Sequence, residues 1–467
     1  MSELPKGWTK ASFDLAGDYT DYVSNGSFAS LKENVTQTDV EDFAILLRLK
    51  DFNNSFSGDF KYITESSYNY LSKSKLEPGD LFLSNVGAPG KTFIIPDLKM
   101  PMSLAPNGIR VRASSITSNK YLHYFISSPV GGELIDSITG GNAQQKFNKT
   151  ALKKSELPLA PLNEQIRIAN KLDSILAKVD KAQARLDKIP AILKRFRQSV
   201  LAAATSGELT KEWREEMGFT NDTWLPTSID SLSVRAFDGP FGSKLKTADY
   251  TDHGIKVARL ENIGHLVFNA EKQTFISETK YQELVKNTLE HNDVLFSSFV
   301  DEEIRTCLFD ERFGTHINKA DCFCIRPNQE IVSPEFLMYS LACKHTYEKI
   351  KKQVHGATRP RVNLRFLKSF EIAIPSPKEQ LVVVDKINQL FSKANKVERQ
   401  YLEAKARLDR LTQSILAKAF RGELVPQDPN DEPAEKLLER IVAEKEQNKS
   451  KKTTRKRTTK AKTAEKE

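Results

Sequence analysis

Apolar residues along this chain follow two different periods. Leu172, Ile175, Val179, Ala182, Leu186, Ile189, Leu193, Phe196 and Val200 fall at alternating spacings of three and four. Ile387, Leu390, Ala394, Val397, Tyr401, Ala404, Leu408, Leu411 and Ile415 do the same. A heptad sustained over this length predicts two coiled-coil helices. Flanking charge (Lys178, Asp180, Lys181 and Arg185; Lys393, Lys396, Glu398 and Arg399) argues against helices buried all round. Pro161 and Pro377 stand near the helix starts, where a missing N–H costs little, and Gly207 and Gly422 stand at matching ends. Pro190 predicts a kink in the first helix, whereas Lys405 at the matching place lets the second run straight. Elsewhere the apolar runs are short and broken by Gly, Pro, Asn and Asp. VLFSSFV (Val294 to Val300) and DCFCIRP (Asp321 to Pro327) predict strands, and Pro334 to Lys351 predicts a helix.

The pattern occurs twice. QSVLAAATSGEL from Gln198 returns as QSILAKAFRGEL from Gln413, with eight of twelve positions identical at an offset of 215. At the same offset Glu164-Gln165 matches Glu379-Gln380, Asn148 matches Asn363, and Gly141 matches Gly356. The offset slips to 213 where YITESSYNYLSKSKLEPGDLFLS meets FISETKYQELVKNTLEHNDVLFS, and to 211 where Arg48-Leu49 meets Arg259-Leu260. One unit of about half the chain is present twice, too long for a solenoid repeat.

Each unit joins an α+β globular part to a helical part. The expected organisation is a globular domain over 1–160, a helical segment over 161–217, a second globular domain over 218–375 and a second helical segment over 376–424. A short helix over 425–448 and a disordered basic tail over 449–467 follow. Parallel pairing of the two helices would separate the ends that the second domain joins by roughly 60 Å for about 40 residues. Antiparallel pairing removes that gap. It predicts a pseudo-twofold molecule, two similar mixed domains separated by a two-helix coiled coil. Duplex DNA offers matching local twofold axes, with half-sites recurring every ~34 Å. The central heptads would span about 43 Å.

The formal charge of +9 is concentrated at one end. The tail from Lys449 holds nine Lys/Arg and two Glu, which leaves only +2 for the rest. Binding of nucleic acid by the body must therefore use local patches rather than a global field. The four cysteines, Cys307, Cys322, Cys324 and Cys343, lack zinc-site spacing and are expected to be buried free thiols. MSELPKGW carries no basic region followed by an apolar stretch, and FAILLRL is too short and charged to span a membrane. A cytoplasmic protein is expected.

Two loops per domain carry candidate contact chemistry. TGGNAQQKFN contains Gly141, Asn142, Gln144, Gln145 and Lys146; VHGATRPRVN contains Gly356, Thr358, Arg359 and Arg361. Gln and Asn can bond adenine edges, Arg can bond guanine, and Lys or Arg can equally hold phosphates. Gln144 opposes Arg359 and Lys146 opposes Arg361, as two domains reading different sequences would need. The second loop supplies Ser84, Asn85 and Lys91 in one copy, and Ser297, Ser298 and Arg305 in the other. Arg48 and Arg259 occupy matching strand-like positions, as structural salt bridges or phosphate contacts. VGAPGKT only approximates a phosphate-binding loop, because Asn85 replaces the first required Gly.

Enzymatic signatures are missing. The chain has no H-E-x-x-H, G-x-S-x-G, G-x-G-x-x-G or N/D-P-P-Y/F, and Pro96-Asp97 lacks the acidic-x-Lys pair of a restriction-type nuclease. The seven histidines are scattered singly. No metal site is expected.

Taken together, the duplicated plan resembles the specificity subunit of type I restriction–modification systems. The resemblance is carried by PLNEQIRIANKLD and PSPKEQLVVVDKIN, by RFRQSVLAAATSGELT and QSILAKAFRGELVPQDPNDEPAEKLLERI, and by KEWREE. It implies two target recognition domains that each read half of an asymmetric, bipartite DNA site. It implies docking of two methyltransferase subunits on the helical segments, methylation of adenine N6 from S-adenosylmethionine by those partners, and restriction subunits driven by ATP and Mg. The chain itself would hold no cofactor and no catalytic residue. The competing expectation is a coiled-coil scaffold whose paired domains bind proteins.

Overall fold

In the computed structural model, the runs LFLS (Leu81–Ser84) and VLFS (Val294–Ser297) are buried on both faces, which accounts for their unbroken apolar character. Leu81 and Leu83 face a cluster with Tyr121, Leu122 and Phe125, while Phe82 faces a second cluster with Leu47, Phe93 and Leu104. Val294 and Phe296 face Phe336 and Leu337, and Leu295 turns the opposite way. The structure describes residues 4–141, 143–219, 223–353 and 360–445. Two compact units are present, Met1–Arg185 with Ala404–Glu467, and Leu186–Glu403.

The first unit contains a four-stranded sheet in the order Gly17–Asp21, Gly108–Ala113, Leu81–Ser84, Thr92–Ile94. The second unit repeats it with Ser233–Phe237, Cys322–Pro327, Val294–Ser297 and Thr306–Leu308. Registers coincide, since Gly108 pairs with Ser84 as Cys322 pairs with Ser297. A smaller sheet in each unit is built on one parallel pair, Ala44–Leu47 with Met102–Leu104 and Ile255–Ala258 with His316–Asn318. An antiparallel ribbon, Thr9–Ser12 with Glu156–Leu159 and Leu225–Ser228 with Glu371–Ile374, completes the repeat.

The segment expected as one helix over 334–351 is two, Pro334–Ala342 and Lys344–Lys351. Cys343 stands between them in extended conformation, and its sulfur caps the N–H of Thr346. Ser128 does the same between Asn119–Ser127 and Pro129–Ile138. The expected strand from Val294 ends at Ser297, and the rest is loop.

The long helices follow the expected contrast. The first breaks at residues 187–188 into Leu162–Leu186 and Ile189–Thr205, with Pro190 in the first turn of the second piece. The second runs unbroken over Pro377–Phe420. Within the second unit, Arg197 bonds Glu398, Lys386 bonds the Leu209 carbonyl, and Arg214 bonds Glu379. One partner number falls as the other rises, so the helices pair antiparallel there. The heptad overstates burial. Phe196, Val397 and Leu411 are exposed, and near the end of the long helix Leu416, Ala419 and Phe420 are the buried positions. A straight helix of 3.6 residues per turn drifts off a 3.5 repeat. Its last turns also enter the core of the first unit, where Phe420 meets Tyr121 and Phe125 with ring centroids 5.2 and 5.3 Å away.

The repeated Glu-Gln pair has a structural explanation. Gln165 is fully buried; its amide donates to the Ile116 and Ala160 carbonyls and accepts from Thr117. Gln380 donates to Ile331 and Pro375 and accepts from the Ser333 N–H. Each glutamine ties a helix start to its globular part. Residues 434–445 are helical, and Ala434, Leu437 and Ile441 pack on Ala11, Ile116 and Leu159. All four cysteines are buried free thiols, and burial pushes Cys307 up to about 12. Among the described residues no helix is long and apolar enough to cross a membrane.

Candidate nucleic-acid interface

The two candidate loops of each unit lie side by side. In the first unit Gly140 and Lys146 exchange both backbone hydrogen bonds at 2.9 Å, closing a tight loop. The Gly87 N–H donates to the Gln145 carbonyl, and the Phe147 N–H donates to the Asn85 carbonyl, both at 3.1 Å. The Asn85 side chain returns a bond to the Phe147 carbonyl at 3.3 Å. In the second unit the Val300 N–H donates to Pro360 at 3.1 Å, and the Val362 N–H donates to Ser298 at 3.0 Å. Val86 and Lys146 form a bridge, as do Phe299 and Arg361. Lys146 and Arg361 therefore hold equivalent positions, as their spacing in the chain suggested.

This backbone clip presents Gln144, Gln145 and Lys146 to solvent, and Lys91 is exposed nearby in sequence. Gly141 has φ +110°, and a Cβ there would meet the Gln144 carbonyl oxygen at 2.5 Å. Glycine is thus required to close the loop. Arg361 is 46% exposed at the side chain; its guanidinium lies 4.2 Å from the Phe299 ring centroid and 3.7 Å from Asp321. Asn142, Gly356, Thr358 and Arg359 lie outside the described residues.

Several expected contact residues have internal roles instead. The Ser84 hydroxyl donates to the Val86 carbonyl, Ser297 to Phe299 and Ser298 to Asp321, and all three serines are buried. Arg305 staples two segments, donating to the Leu260 carbonyl at 3.0 Å and the Ser297 hydroxyl at 3.1 Å. Arg48 is bound by Asp51 through two nitrogens and also donates to the Asp59 carbonyl. It is a structural salt bridge. Arg259 is freer, with Glu261 at 3.7 Å. The difference follows from one substitution, since Asp51 of the first copy is replaced by Asn262, which caps the same turn without a charge. The VGAPGKT stretch joins two antiparallel strands, so it has no phosphate-binding helix behind it.

Sequence reasoning missed a third segment of the constellation. The Asn85 N–H bonds the Asn107 carbonyl at 3.3 Å, and the Ser298 N–H bonds the Asp321 carbonyl at 2.9 Å. Asn107 and Asp321 sit at the same turn, just before the central strand, both with positive φ. Asp238 completes the second site. Its carboxylate accepts from the N–H groups of Gly239 and Asp321, and burial raises its pKa to about 6 despite those bonds. A hollow of about 500 Å³ opens between Asp238, Asp321, Arg361 and the exposed ring of Phe241. The first unit has a hollow of about 360 Å³ between Arg48, Ser84, Val86 and Asn107. Only the pairing of distant strands joins these residues, so no local motif could have marked them. Among the described residues no cluster of His, Cys, Asp and Glu could hold a metal ion.

Comparison with known proteins agrees with the duplication. A family model described as the type I restriction modification DNA specificity domain matches residues 27–191 and 245–404. The specificity subunit of the type I restriction enzyme EcoBI from Escherichia coli is 33% identical over 368 residues, covering 74% of this chain and 77% of that one. The StySPI specificity subunit from Salmonella potsdam is 28% identical, covering 97% and 99%. Among solved structures, the HsdS subunit from Thermoanaerobacter tengcongensis shares the fold with a TM-score of 0.54 at 17% identity, covering 91% and 99%. A chain from a structure of the type I R-M system shares it with a TM-score of 0.68 at 16% identity, covering 91% and 100%. With both halves matched and relatives aligned along most of its length, the protein belongs to the family of type I restriction–modification DNA specificity subunits, which recognise DNA sequence and are not themselves catalytic.

Proposed function

We propose that each globular half reads one half of a bipartite DNA site through its clipped loops, using unlike side chains at equivalent positions. The observation that carries this is the matched pair of bridges, Val86 with Lys146 and Phe299 with Arg361. The same backbone platform holds an ammonium in one copy and a guanidinium in the other. Gln144, Gln145, Lys146 and Lys91 are the contacts of the first domain, and Arg361 and Arg259 those of the second. Arg361 has the fork that matches guanine O6 and N7, while lysines act mainly as phosphate anchors.

The partners follow from the same reading. Two methyltransferase subunits dock on the helical segments and transfer a methyl group from S-adenosylmethionine to adenine N6; restriction subunits add ATP- and Mg-dependent cleavage. Exposed apolar side chains on these helices support docking, including Ile192, Leu381, Val397 and Leu402 in the second unit.

The test is binding of the full chain, with the subunits that co-purify, to duplex libraries randomised in one half-site at a time. Sequence preference in both halves and a steep loss of affinity with salt are expected, because phosphate contacts release counterions. Salt-insensitive binding without preference would instead favour a protein-binding scaffold.

A further inference from the structure

The turn entering the central strand is left-handed in both units, at a residue other than glycine. Asn107 has φ +73° and Asp321 has φ +70°. Glycine would adopt this conformation without a steric cost, yet each copy places a short polar side chain there, beside the clipped loops. Asn107 is exposed, and it lines the first hollow. Asp321 lines the second, held by the Ser298 hydroxyl at 3.0 Å on one oxygen, with Arg361 3.7 Å from the other.

The chemistry of the two residues differs in a way that phosphate contact does not explain. A carboxylate is repelled by the DNA backbone, and Ser298 and Arg361 take up only part of the acceptor capacity of Asp321; in such an interface the remainder suits a donor. The donors on base edges in the major groove are the amino groups of cytosine N4 and adenine N6. An amide both donates and accepts, and matches adenine N6 and N7 together. A strained backbone position held in place by surrounding bonds is a common setting for a functional side chain.

Building on the function proposed above, we propose that Asn107 and Asp321 are specificity-determining residues at equivalent places in the two half-site readers. Asn107 reads adenine. Asp321 accepts from an exposed amino group of cytosine or adenine and, by its charge, rejects the acceptor edges of guanine and thymine. Arg361, beside it, reads the adjoining acceptor edge.

Full-length protein with its co-purifying subunits, selected against a randomised duplex library, tests this. Four variants are compared with wild type: Asp321→Asn, Asp321→Gly, Asn107→Asp and Asn107→Gly. Asn and Asp both tolerate the left-handed turn, and Gly keeps it while removing the side chain, so at least one variant at each site retains the fold. Each Asp321 variant should change base preference roughly tenfold or more at one position of one half-site. Each Asn107 variant should do so at one position of the other half-site, with all other positions unchanged. Unaltered preferences at wild-type affinity, or uniform weakening on every sequence, would overturn the assignment. Absence of any preference in wild type would instead overturn the broader function, so the two failures are distinguishable.

Discussion

Arg361 lays its guanidinium over the Phe299 ring, 4.2 Å from the centroid. The stack orients a flexible side chain at the surface, and the planar fork makes the orientation useful. Arg361→Lys keeps the charge and loses both features. It should weaken binding by ~1–3 kcal/mol on sites carrying the preferred base, and much less where that base is replaced. Competition between duplexes altered in one half-site checks this; equal loss on all duplexes would make Arg361 a phosphate contact.

Two matching ion pairs tie the central strands at the ends away from the loops. Arg112 bonds both oxygens of Asp80 at 2.8 Å, and Arg326 bonds both oxygens of Asp293 at 2.9 Å. Each buried carboxylate also accepts from a turn N–H, at Glu77 or Glu290. Asp293→Ala should cost about 3 kcal/mol of stability, because it strips a partly buried guanidinium and a turn amide together. Denaturant unfolding measures the loss, and base preference of the folded fraction should stay unchanged.

The helix starts are not equivalent. Glu379 accepts from Arg214, Thr210 and Trp224 in a buried network. The matching Glu164 is also buried, but one of its carboxylate oxygens has no hydrogen-bond partner among the described residues. Glu379→Ala should therefore destabilise by about 3–5 kcal/mol. Glu164→Gln should stabilise at neutral pH. Burial raises the Glu164 pKa above its ordinary 4.5, so ionisation costs more in the folded state. The advantage of the variant should grow as pH rises above 4.5 and vanish in acid. Unfolding curves at a series of pH values decide, and a pH-independent difference would contradict the assignment.

Asp238 makes a parallel case beside the second candidate site. Its pKa is raised from 3.8 to about 6, chiefly by burial. The native state thus holds its proton through a window in which the unfolded chain has lost it. Relative to Asp238→Asn, wild type should lose stability as pH rises from about 4 to about 6 and then level off. Unfolding midpoints of the two proteins across that window test the sign, and a constant gap would contradict it.

Much of the architecture was legible because it is written in local periods and in repetition. The heptads marked the long helices, Pro190 marked the break, and the recurring Glu-Gln marked the joints that Gln165 and Gln380 make. The candidate sites were only half legible. The loops around Lys146 and Arg361 stood out by composition and spacing. Ser84, Ser297, Ser298 and Arg305 looked like contact residues because hydroxyls and guanidiniums serve surfaces and interiors alike, and sequence does not say which way they turn. Arg48 and Arg259 looked equivalent until Asp51 claimed the first.

The sequence by itself determined that one helical and one mixed unit occur twice, and that matching loops carry unlike chemistry. These properties depend on residue order over short spans, where hydrophobic period and turn chemistry act directly. Only the tertiary structure decided which polar groups face outward and which three segments meet at each site. Asn85 and Asn107, or Ser298 and Asp321, are joined by backbone bonds at the ends of paired strands that are not neighbours in the chain. Such pairings are set by the register of a whole sheet, a collective property that no local stretch encodes.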